Sequence, residues 1–149
     1  FTSDNLEKDA FVTAVSKHFQ ESSSDMQLSA ATSFRWDRVC GFYADDSDRG
    51  GTRNWVTRNF SGDMRGKISD HASFAMIFSK SGKSTNLFVF ENSYLKIRER
   101  DFIFYSVNEK TGDYYGENCF TSSQAHLRIF VGSDGRSSEV VVSGKQGEK

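Results

Sequence analysis

Ala72-Ser-Phe-Ala-Met-Ile-Phe-Ser79 and Thr85-Asn-Leu-Phe-Val-Phe-Glu91 are two short apolar runs divided by Lys80-Ser-Gly-Lys-Ser84. Runs of this length, rich in Phe, Val and Ile and bounded by Ser and Gly, read as strands. The link between them has a common hairpin length. Toward the C-terminus the pattern repeats. Residues 94–98 place Leu95 and Ile97 on one face, residues 102–107 (Phe-Ile-Phe-Tyr-Ser-Val) read as another strand, and Asn108–Asp113 makes a turn. The last pair is 126–131 (His-Leu-Arg-Ile-Phe-Val) and 138–142, joined through Gly132-Ser-Asp-Gly135, where Asp-Gly is a strong hairpin signal. The tail from Ser143 is polar and is expected to fray.

Toward the N-terminus, Ser33–Tyr43 reads as a strand. Phe34, Trp36, Cys40 and Phe42 fall on one face, and Arg35, Asp37, Val39 and Tyr43 on the other, with Arg38 interrupting the apolar side. Trp36 is expected in the core and Asp37 in solvent. A polar loop with Gly50-Gly51 follows over 44–53. Residues 54–60 hold Trp55, Val56 and Phe60 and fit a short helix or an irregular stretch. Residues 4–20 are helical by period, with Leu6, Ala10, Phe11, Ala14, Val15 and His18 on one stripe. Asp4 is placed to cap it, with Glu7 closing a capping box. The expectation is one α+β domain over 1–149: an N-terminal helix packed on a mainly antiparallel sheet of six or seven short strands.

Composition narrows the function. Phe accounts for 14 residues and aromatics for 14%, whereas disordered chains are poor in aromatics. Lys+Arg is 19 against Asp+Glu 20, so no charge bias favours nucleic acid, although Lys96, Arg98 and Arg100 form a small basic patch near Tyr94. No apolar run is long enough to span a bilayer. The chain opens at Phe1, and we read this as a processed or trimmed end from which a signal peptide or lipid anchor would already be gone. Cys40 and Cys119 are the two cysteines. A pair of free thiols in the cytosol and one disulfide in an exported protein both fit; the disulfide is the expectation carried forward.

Catalytic and ligand templates each lack a required residue. Ser81-Gly82-Lys83-Ser84 resembles the end of a phosphate-binding loop, but Ile77 stands where the first glycine is needed. Asp45-Asp46-Ser47-Asp48-Arg49-Gly50 resembles a calcium loop, but Arg49 and Val56 occupy ligand positions. His18, His71 and His126 have no partner at a metal-like spacing. Asp70-His71 suggests a triad, yet no serine sits in a nucleophile elbow. No catalytic residue, cofactor or metal site is therefore expected.

Phe34-x-Trp36-Asp37-x-Val39, followed by Phe42 and Tyr43, then Trp55, Ser69-Asp70 and a Ser-Gly-Lys turn, resembles a group of small exported bacterial proteins and lipoproteins with an F-x-W-D-x-hydrophobic motif. The resemblance covers about residues 30–90 and implies export without a particular activity. The function expected is a non-catalytic extracytoplasmic protein-binding domain, periplasmic or secreted. An immunity protein neutralising a toxin, or an enzyme inhibitor, is its concrete form. Asp45, Asp46, Asp48, Trp55 and Arg58 are the expected partner-binding residues, because acidic loops steer basic partners and Trp and Arg anchor interfaces. A small hydrolase with a non-motif active site and a cytosolic ligand-binding module are the alternatives.

Overall fold

The computed structural model describes residues 2–45, 47–60, 67–132 and 138–144. Two α-helices, α1 (Thr2–Glu21) and α2 (Gly51–Asn59), and a short 3-10 helix (Leu28–Ala31) accompany nine strands among these residues. They are β1 (Met26–Gln27), β2 (Arg38–Tyr43), β3 (Phe74–Lys80), β4 (Lys83–Phe90), β5 (Tyr94–Ile97), β6 (Arg100–Ser106), β7 (Gly116–Thr121), β8 (His126–Val131) and β9 (Ser138–Ser143). The class is α+β as expected, but the strands form two sheets and not one. One has the order β1-β8-β9-β6-β5 and the other β4-β3-β2-β7. Every pairing is antiparallel except β6 with β9.

Strand β3 shows why two sheets form. Phe74 through Phe78 are all buried, without the alternation of a half-solvated strand. Phe74, Met76 and Phe78 face the main core between the sheets, while Ala75 and Ile77 face a second cluster under Trp55 and Val56 of α2. The four-stranded sheet is thus covered on both sides. Helix α1 closes the main core with Phe11, Val15 and Phe19. It also lies along two strands: Lys8 Nζ donates to the Val89 carbonyl (2.9 Å) on β4 and Ser16 Oγ to the Lys96 carbonyl (3.1 Å) on β5.

Several local expectations are corrected. Leu6 is 68% exposed, and Phe19 takes its place in the buried stripe. Helix α1 already includes Thr2, so Asp4 lies inside it, and Glu7 accepts from Asn86 Nδ2 (2.7 Å) on β4 instead of closing a capping box. Strand β2 begins only at Arg38. Phe34 and Trp36 precede it on bent backbone, with Trp36 Nε1 donating to Thr32 Oγ1 (3.0 Å). The two-residue phase breaks there, so Trp36 shares the main core with Val39, while Cys40 and Phe42 pack with α2 on the opposite face. Asp37 is exposed and accepts from the Ser81 amide (3.0 Å). Ser143 and Gly144 are buried instead of frayed. Residues 145–149 and 133–135 of the expected tail and hairpin loop lie outside the described residues.

The hairpin loops are tighter than expected. Ser81 and Gly82 alone turn β3 into β4, both at positive φ (53° and 79°). This is the left-handed two-residue geometry that suits strand twist. Arg98 and Glu99 do the same between β5 and β6 at φ 54° and 61°, although neither is glycine. Arg98 has an evident compensation. Its Nε donates to the Phe19 carbonyl (2.8 Å) and its Nη2 to Ser23 Oγ (3.0 Å), tying the C-terminal end of α1 to the turn. Glu99→Gly is therefore expected to raise stability by about 0.5–1 kcal/mol through relief of the left-handed backbone. Arg98→Gly gains the same relief but loses the tie, and is expected to destabilise. Paired urea melts check the two signs.

Candidate functional site: a tyrosine-lined cleft

All five tyrosines of the chain gather where strands end or begin. Tyr43 closes β2, Tyr94 opens β5, Tyr105 is near the end of β6, and Tyr114 and Tyr115 lead into β7. Tyr43 is opposite Gly116 in the β2–β7 register, which brings Tyr115 beside it. The two rings are nearly parallel, 14° apart with centroids at 5.5 Å. Tyr114 lies 4.5 Å from Tyr115 and 5.4 Å from Tyr105, so four tyrosines form one ring cluster. Tyr94, Tyr114 and Tyr115 are 55%, 40% and 51% exposed.

A cleft of about 360 Å³ opens beside the cluster. Tyr43, Tyr94, Tyr115 and Ile103 supply its apolar walls; Asp45, Glu91, His71, Ser73, Asn92 and Ser93 supply polar groups. Asp45 sits just past β2. Ser47 donates to its Oδ1 through both the amide (3.0 Å) and the hydroxyl (2.6 Å). These bonds, the hydroxyl's first, hold its carboxyl below the usual range against a smaller opposing effect of desolvation, so it stays ionised.

An adjoining cleft shares Ala44, Asp45, His71 and Ser73. There Arg49 Nε donates to Asp70 Oδ2 at 2.9 Å, and Arg49 Nη2 lies 3.1 Å from His71 Nε2. The guanidinium holds the Asp70 carboxyl below its ordinary range. With Asp70 and the His71 ring both on Arg49, the one serine hydroxyl hydrogen-bonded to His71 among the described residues is that of Ser69, which accepts from the backbone amide (3.0 Å) and not from the ring.

Tyr105 donates to Glu139 Oε1 on neighbouring β9. Burial first, and then this carboxylate, push its phenol far above the ordinary tyrosine range. Tyr115 is also raised, by its hydrogen bond with Tyr114. A raised phenol contributes stability below pH ~10 that is lost as pH climbs through the folded value. In an alkaline absorbance titration Tyr105 is expected to ionise last, and Tyr105→Phe to remove that late component.

The expected partner-binding residues separate. Asp45 enters the cleft. Asp46 lies outside the described residues. Asp48 is exposed at the start of α2, where a Cβ on Gly51 would come within 2.2 Å of its Oδ2; a glycine there makes room for the carboxylate at the helix N-terminus. Trp55 is 3% exposed, stacks on Phe42 at 5.3 Å and donates from Nε1 to Glu117 (2.9 Å), so its ring is core and no surface anchor. Arg58 is exposed in a different groove, with Phe60 and Lys83. The basic patch near Tyr94 is divided: Arg98 holds α1, and Lys96 lies 3.5 Å from Asp101. Cys40 and Cys119 are joined in a disulfide across β2 and β7, with the Glu117 carboxylate beside the sulfurs. No helix is long and apolar enough to cross a membrane among the described residues.

The tyrosine cluster escaped sequence reasoning because its members stand far apart in the chain. The one local signal was Tyr114-Tyr115, two adjacent aromatics in a polar loop. Compared with known proteins, the chain matches no family model, no curated protein and no solved structure.

Proposed function

We propose that the chain is a non-catalytic extracytoplasmic protein-binding domain, periplasmic or secreted, that meets its partner through the tyrosine-lined end. Neutralising a toxin, as an immunity protein or enzyme inhibitor, is the form of this role we favour. The observation that carries the reading is a cleft lined by Tyr43, Tyr94, Tyr115 and Asp45, with Tyr105 and Tyr114 packed against its tyrosine wall. Tyrosine is enriched at interfaces because it offers large amphipathic area at small entropic cost. The disulfide is in keeping with an oxidising compartment. The F-x-W-D resemblance points the same way. The commitment of Asp70 and His71 to Arg49 supports a binding role over the hydrolase alternative.

The test is capture of the partner from the native source with three variants. Tyr115→Ala and Asp45→Lys are expected to abolish the complex, and Arg58→Glu to leave it intact. A complex lost only with Arg58→Glu would move the interface to the other groove. A hydrolytic activity abolished by His71→Ala or Asp70→Asn would replace the binding reading altogether.

A further inference from the structure

We infer that the cleft between Tyr94 and Tyr115 receives an arginine side chain of the partner, an inference that rests on the reading of this end as a protein-binding surface. The cleft offers three tyrosine rings and two carboxylates, Asp45 and Glu91, and no lysine or arginine among the described residues lines it. Neither carboxylate forms an ion pair with a described residue. Asp45 is fixed and kept ionised by Ser47. Aromatic faces beside fixed negative charge attract cations.

The adjoining cleft supplies the contrast. There the same combination of carboxylate and flat ring, Asp70 and His71, is already filled by the chain's own Arg49. The tyrosine cleft has the acceptors and the rings but no lysine or arginine of its own among the described residues. Arginine fits better than lysine on physical grounds. Its planar guanidinium stacks on a ring while forking toward a carboxylate, and it sheds water more readily than an ammonium. His71 also lines the cleft, but Arg49 holds its Nε2.

The experiment titrates N-acetyl-arginine amide into the disulfide-intact protein and follows tyrosine ring resonances by NMR. N-acetyl-lysine amide, the neutral isostere N-acetyl-citrulline amide and a neutral methyl glycoside are run in parallel. Saturable shifts on Tyr94 and Tyr115 are expected with arginine, weaker ones with lysine, and about tenfold weaker binding with citrulline. Asp45→Asn with Glu91→Gln is expected to cost arginine binding about tenfold, and the unshifted resonances of the remaining protein report that the fold is kept. Equal affinity for citrulline, or shifts with the glycoside and none with arginine, overturns the inference. If arginine fails to bind while Tyr115→Ala still abolishes partner capture, the inference fails and the surface reading stands. If arginine binds but cleft variants leave capture untouched, both fall.

Discussion

Cys40→Ser combined with Cys119→Ser is expected to lower the unfolding free energy by roughly 4.5 kcal/mol. The bridge closes a loop with a sequence separation of 79, and in the chain-entropy picture it acts by restricting the unfolded ensemble. It also fastens β7, which pairs with β2 alone and ends its sheet. A domain of this size has ~5–15 kcal/mol in total, so this loss takes a large share of it. Urea denaturation of wild type and double variant, with and without reductant, gives the number. Wild type in reductant is expected to match the variant. A loss under ~1 kcal/mol would show that β7 is held by pairing and packing, and that the unfolded chain is compact enough to make the bridge redundant.

Phe104→Ala is expected to cost ~3–5 kcal/mol, because the deletion leaves a cavity that the surroundings only partly fill. Phe104 is fully buried on β6 and touches the other layers at once. Its ring meets Phe74 at 5.2 Å and Phe90 at 5.2 Å across the sandwich, and Phe11 of α1 at 6.0 Å. No single neighbour can move in without opening a gap elsewhere. Leu6→Ala, by contrast, removes a side chain that is largely in water and is expected to change stability by less than ~0.5 kcal/mol. Helical period alone ranks Leu6 among the burying residues, so the pair of measurements separates packing from patterning.

That contrast shows what the chain discloses before folding. The hairpin at 72–91 was readable because its apolar runs and Ser-Gly turn are local. So was the main body of α1, and the α+β class with them. Strand β7 was not, because Gly-Glu-Asn-Cys-Phe-Thr has one large apolar residue and becomes a strand by pairing with β2. The division into two sheets was hidden too. The burial of Trp55 between α2 and the four-stranded sheet depends on the back of that sheet being apolar, which only the register of β2, β3 and β4 establishes. Among the expected binding residues Asp45 reached the cleft because it directly follows Tyr43 and Ala44. Trp55 did not, because an aromatic on a short helix is worth more in a core than at a rim.

The proposed role joins two separate properties: a scaffold fixed by a disulfide and a phenylalanine core, and an exposed end built from tyrosine and carboxylate. If that end is the interface, a partner must cover it. Nitration of surface tyrosines, followed by peptide mass mapping, compares the free protein with its purified complex. Tyr94, Tyr114 and Tyr115 are expected to react when the protein is free and to be protected in the complex. Equal nitration of all three in both states would contradict the account.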